Sequence, residues 1–201
     1  MFSARVGHRV HAQEEAKPMA QDDHLQAARL DVLSDGTTSL EALAFFDSLP
    51  PVGVEELIGS WQGAEVPTGH PLDGVLANLG WQGKKFTDPD AAHPLVFSSR
   101  AGSLFEVNPW FVPLRPALRL GPLLRNPTAG RVIRPLLQLL RTTQPKARVR
   151  MMEYRGVLSA TMIYDSLPIN DAFRRVDAHT LLGAMDMRGP YPPFIFSLRK
   201  R

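Results

Sequence analysis

The run Gly59-Ser60-Trp61-Gln62-Gly63 constrains this chain more than any other stretch. A tryptophan between two glycines, at the head of strand-like sequence, calls for backbone passing close beneath an indole, where a Cβ would collide. Small β-barrels that close around an apolar interior begin in this way, with the indole plugging one end. The pattern therefore predicts Trp61 as a structural plug, with Gly59 and Gly63 making room for it. It bears on fold and names no substrate.

Downstream of this run the apolar pattern has period two. It predicts strands over residues 60–66, 79–87, 94–99, 103–107, 148–154, 157–164, 169–176, 181–187 and 193–199. Tight turns such as Arg100-Ala101-Gly102 and Arg155-Gly156 join several of them. Eight or nine short strands joined by hairpins predict an up-and-down antiparallel barrel, since closure removes the exposed edges of an open meander. Upstream, Thr38 and Glu41 form a capping box that opens a helix, and Pro50-Pro51 must end it. Residues 110–147 interrupt the strands. They are rich in leucine and arginine, and Pro113, Pro116, Pro122, Pro127 and Pro135 break them into short helices.

The first 36 residues are polar and aperiodic and read as a disordered tail. Within it His8 and His11 stand three apart, a spacing that in such a tail reads as solvated and not metal-bound. The organisation expected is thus a tail (1–36), a first half of the barrel (37–109), a basic helical insertion (110–147) and a second half (148–201).

Composition narrows the classes. The chain has 201 residues, enough for one domain with a substantial core. It lacks cysteine, which removes disulfides, thiolate metal sites and cysteine nucleophiles together. No apolar run approaches the ~18 residues of a spanning helix, and no secretory h-region stands near the start, so a cytoplasmic protein is expected. The net charge of +3 conceals a strong asymmetry: residues 107–152 hold nine arginines and lysines and no acid. There is no Gly-x-Ser-x-Gly elbow, phosphate loop, dinucleotide fingerprint or His-Glu-x-x-His pair.

Several further stretches carry a resemblance. They are Gly69-His70-Pro71, Gly80-Trp81-Gln82-Gly83-Lys84, Met162-Ile163-Tyr164-Asp165, Thr180-Leu181-Leu182-Gly183 and Met185-Asp186. With the opening run, they resemble the GXWXG domain of small, mostly bacterial proteins and the domain of unknown function that usually follows it. A more distant similarity is to the calycins, the lipocalin and fatty-acid-binding-like barrels. That similarity implies an arginine from the last strand covering the tryptophan, a part that falls to Arg199. A haem-binding calycin branch shares Gly-x-Trp-x-Gly, but it carries further glycines that this chain lacks after Gly63.

Candidate chemistry falls into three groups. Trp81, Tyr154 and Tyr164 are aromatic residues suited to a ligand cavity or to the core. His70 and His93 each precede a proline and sit in extended or loop backbone. They read as structural residues or, more remotely, as iron ligands, and Asp73 stands where it could orient His70. Among the carboxylates, Asp165, Asp171 and Asp186 stand out; Asp171 alternates in phase with Ile169 and Phe173 and so points inward. A buried carboxylate needs a partner, and Arg174, Arg175 and Lys84 are available. These groups serve either as ion-paired structure, as polar anchors for a ligand (Lys84, Arg174, Asp186), or as acid–base catalysts (His70, Asp165, Asp171, Asp186).

The reading is a mainly β, calycin-like barrel with an N-terminal helix and a helical insertion, binding a small apolar or amphipathic molecule beneath the insertion as a lid. Alternatives are a cofactor-free lyase or isomerase on the same barrel, a haem protein, and a peripheral protein docking on anionic membrane through residues 110–145. Aromatic interleaving is too thin there to favour nucleic acid. No metal and no obligatory cofactor are expected.

Overall fold

The computed structural model describes residues 8–201, with side chains from residue 21 onward. Among these described residues nine strands follow in chain order: β1 (Gly59–Glu65), β2 (Trp81–Asp88), β3 (Ala91–Ser98), β4 (Leu104–Glu106), β5 (Ala147–Tyr154), β6 (Val157–Tyr164), β7 (Ile169–Asp177), β8 (Thr180–Met187) and β9 (Phe194–Lys200). All pairings are antiparallel, and the order β2-β1-β9-β8-β7-β6-β5-β3 closes on itself through β2–β3. The result is the expected closed barrel of eight strands, with β4 as a ninth strand on the edge of β3. The seam is narrowest between β3 and β5, where Ala92 pairs with Ala147.

Among the described residues, six α-helices accompany the barrel: α1 (His8–Ser34), α2 (Ser39–Ser48), α3 (Val54–Leu57), α4 (Val75–Leu79), α5 (Leu114–Leu124) and α6 (Pro127–Leu137). The capping box of α2 forms as its sequence dictates: Thr38 Oγ1 accepts from Glu41 N at 3.2 Å, and Glu41 returns the bond by accepting from Thr38 N at 3.1 Å. The segment read as a disordered tail instead carries α1. It docks through a few apolar residues near its end: Leu30 is buried, while Ala27 and Leu33 are partly so. So sparse an apolar stripe on a polar helix leaves little period in the sequence. His8 and His11 lie outside the residues whose side chains are described.

Two apolar cores result. One fills the barrel and includes Trp61, Trp81, Phe86, Phe173, Phe194 and Phe196. The other lies outside it, where α1 and α2 set Leu30, Phe45 and Phe46 against Ala172, Val176, Leu182, Ala184 and Ile195 of β7–β9. Strands β7, β8 and β9 are therefore buried on both faces.

Trp61 is buried, and its indole N–H donates to Leu57 O at 2.7 Å. The glycines act differently from the expectation. A Cβ on Gly63 would fall inside the indole of Trp81, not of Trp61. It is Gly83, at φ +123°, that passes against the backbone of Trp61 and Gly63 across the β1–β2 pair. Nor does Arg199 cover the plug. It reaches outward to Asp31 of α1 at 3.0 Å, and Lys200 lies over the Trp61 ring at 5.4 Å. The reason is strand parity. Phe194, Phe196 and Leu198 point into the barrel, so Lys200 follows them and Arg199 faces out.

Candidate functional site

An apolar cavity opens between the barrel mouth and the insertion, with a volume of about 250 Å³. Barrel residues Trp81, Met185, Phe194 and Phe196 form its floor. Leu72, Val75, Leu76 and Leu79, in and just before α4, form one side. The roof comes from the insertion: Phe111, Leu114, Ala117, Leu120, Ile133, Leu137 and Leu140 all face it. Leu114, Leu120, Leu137 and Leu140 of the basic segment thus cover the mouth, while Arg115, Arg119 and Arg131 stand in water.

The roof is tied to the α4 region by polar bonds at its rim. The Arg125 guanidinium donates to His70 O at 3.0 Å, and Asn78 Nδ2 donates to Leu124 O at 2.6 Å and Asn126 O at 3.0 Å. Glu65, at the end of β1, accepts from Gly74 N and, at 2.9 Å, from Ala77 N, holding the first turn of α4 in place.

Lys84 is the one charged residue on the cavity wall, and it is 3% exposed. Its Nζ lies 2.7 Å from Asp171 Oδ2, 3.3 Å from Pro94 O and 3.4 Å from the Tyr164 hydroxyl. Tyr164 in turn donates to Asp171 Oδ2 at 3.3 Å. Nζ also sits 4.8 Å from the Phe196 centroid and 5.7 Å from that of Trp81. Burial lowers the Lys84 amine below its ordinary range, and the Asp171 carboxylate works against that shift. Burial likewise raises Asp171, opposed by Lys84, and raises the Tyr164 phenol well above its usual range. Two opposite charges meet here at the cavity floor and cancel each other.

Of the sequence candidates, the structure brings Trp81, Lys84, Tyr164 and Asp171 together at the cavity, with Asp171 inward as its phase predicts. It sends Arg174, Tyr154 and Asp186 to the other face. Arg174 is wholly buried outside the barrel, over the Phe46 ring at 4.7 Å and donating to Tyr154 O at 3.0 Å. Tyr154 packs edge-on against Phe46, and the Asp186 carboxylate acts on its phenol there. Asp186 pairs with Asn170, one register step from the inward Met185 and Met187. Asp165 is exposed in the turn after β6.

His70 also lies off the cavity wall. Its imidazole is fully enclosed, with Phe194 at 5.4 Å and Tyr191 at 6.2 Å, and its Nδ1 accepts from Leu72 N at 3.1 Å. Asp73 supports the same loop by accepting from Thr68 N and His70 N at 2.9 and 2.8 Å. Burial is the main cause that brings His70 down to about 4; Arg125 adds to it and Asp73 opposes it. Its bonds thus join it to this loop, and none of them runs to Asp165, Asp171 or Asp186. His93 is buried elsewhere, on β3, and lies off the cavity wall as well. Among the described residues, no three or more histidines and carboxylates group closely enough to hold a metal ion.

Family models match the two parts of this architecture. Residues 44–102 match "GXWXG protein", and residues 145–200 match "Domain of unknown function (DUF4334)". The chain carries a GXWXG domain followed by this second domain. The first match supplies β1–β3 and α4, the second supplies β5–β9, and the roof lies between them. A solved structure, described as a protein from Thermomonospora curvata, is similar at 28% identity and a TM-score of 0.64, over 88% of this chain and 97% of that one. No curated protein matches the GXWXG chain in sequence.

Proposed function

We propose that this protein binds a small, uncharged, largely apolar molecule in the cavity between the barrel and its helical roof. The observation that carries this reading is the lining: apolar side chains from both parts of the chain surround a preformed space of about 250 Å³. A space of this kind exposes apolar surface to no internal partner, and a ligand that fills it gains dispersion contacts and loses water.

The charge state of the ligand follows from the floor. A fatty-acid carboxylate would seek Lys84, but Asp171 already holds Nζ at 2.7 Å. Bringing a second carboxylate there sets two like charges in a dry site, which is costly. Alcohols, ketones, esters and hydrocarbons meet no such penalty. The roof is the movable part: its rim is held by a few bonds from Arg125 and Asn78, and its elements are short and proline-broken.

Extraction of gently purified protein into organic solvent, followed by mass spectrometry, tests the reading. The expected result is an uncharged compound, released from wild type and absent after Ala117→Trp, which places an indole in the cavity. Recovery of a carboxylic acid in stoichiometric amount would overturn the charge argument.

A further inference from the structure

We propose that the outer face of the roof docks on an anionic lipid surface, so that the cavity exchanges its ligand with a membrane. Helix α6 and the 3₁₀ turn after it carry two apolar stripes. Ile133, Leu137 and Leu140 face the cavity; Val132, Leu136 and Leu139, spaced four and three apart, face solvent. The outward stripe is strongly exposed, 80% at Leu139, and Trp110, two residues after Asn108, whose N–H donates to Leu140 O, is 69% exposed. A roof that served only to close the cavity would need the first stripe alone.

Charge complementarity identifies the occupant. From residue 107 to 152 the chain has nine basic residues and no acid. Arg115, Arg119 and Arg131 are exposed, and none of the three meets a carboxylate among the described residues. Arginines interspersed with exposed leucines and an exposed tryptophan match an interface with phosphate headgroups above and acyl chains below. A nucleic-acid backbone would match the arginines but offers nothing to Leu136 and Leu139. The patch is also continuous with the cavity. Phe111 and Leu120 line the cavity and are 57% and 46% exposed, so a ligand leaving past them enters whatever covers the patch. No helix among the described residues is long and apolar enough to cross a membrane, so the contact is with the surface.

Trp110 makes the proposal measurable, because Trp61 and Trp81 are 3% and 5% exposed and Trp110 alone is set to change its surroundings. The full chain is mixed with vesicles of phosphatidylcholine containing phosphatidylglycerol at about 30%, or of phosphatidylcholine alone, and followed by sedimentation and tryptophan emission. The expected result is binding at least about tenfold tighter to the anionic vesicles, weakened by salt, with a blue shift that Trp110→Phe removes. The pair Leu136→Asp and Leu139→Asp should lower vesicle binding about tenfold or more while leaving the melting curve unchanged. Neither residue lines the cavity, so ligand binding in solution should survive in that variant, and a failure here leaves the ligand reading standing. Absence of binding to anionic vesicles at low salt overturns the proposal, as does binding indifferent to the two aspartates. Self-association through the same residues without vesicle binding overturns it too.

Discussion

Lys84 on β2 and Asp171 on β7 meet inside the barrel, Nζ to Oδ2 at 2.7 Å, at the floor of the cavity. Each is almost entirely buried, and each is held in an unfavourable medium chiefly by the other and by Tyr164. Removing one partner should therefore cost more than removing both. Lys84→Met alone should destabilise the protein by about 3–5 kcal/mol, since it strands a buried carboxylate. Lys84→Met combined with Asp171→Leu should recover most of that loss, read by urea denaturation of the two single variants and the double one.

Gly63 and Trp81 form a second testable contact. A methyl group at 63 would occupy the space of the Trp81 indole, which also lines the cavity. Gly63→Ala should cost about 1–3 kcal/mol through overpacking and should weaken ligand binding by pushing the indole into the cavity. Adding Trp81→Phe should relieve the clash and restore part of the stability, as thermal melts of the three variants would show.

The enclosed His70 gives the fold an acid limit. Its folded pKa of about 4 lies below the ordinary 6.5, so the unfolded chain binds the proton more readily between those values. Stability from this group is complete above about pH 6.5 and is lost as pH falls towards 4. The loss is on the order of 2–3 kcal/mol across that window. Equilibrium unfolding at intervals from pH 7 to 4 should show this slope in wild type and a flatter one in His70→Gln.

At the plug, the two neighbours Arg199 and Lys200 should separate cleanly. Arg199→Ala removes an exposed ion pair with Asp31 and should change stability by no more than about 0.5 kcal/mol. Lys200→Ala removes the cation over Trp61 and should cost about 0.5–1 kcal/mol. It should also alter tryptophan emission, which Arg199→Ala should not.

The barrel was legible in the sequence because short turns join its strands and several of them alternate, and alternation tells buried from exposed wherever one face meets water. The same logic placed Asp171 inward beside Ile169 and Phe173. It failed for Arg174 and Asp186, because α1 and α2 bury the outer face of β7–β9 and both faces then read as apolar, and for Tyr154 at the end of β5, which packs outside the barrel against Phe46 of α2. Helix α4 escaped notice because its five residues, closed by Gly74 and Gly80 at φ +75° and +85°, are too short to show a helical period. The Lys84–Tyr164–Asp171 cluster joins residues 80 and 7 positions apart, and no local motif announces it.

The central claim is that the cavity beneath the roof accepts an uncharged apolar molecule. Titration with the uncharged fluorophore N-phenyl-1-naphthylamine, followed by competition with dodecanol and with dodecanoate, tests it most directly. The account predicts saturable binding that dodecanol reverses well before dodecanoate and that Ala117→Trp abolishes. Equal competition by the two, or binding unchanged in Ala117→Trp, would contradict it.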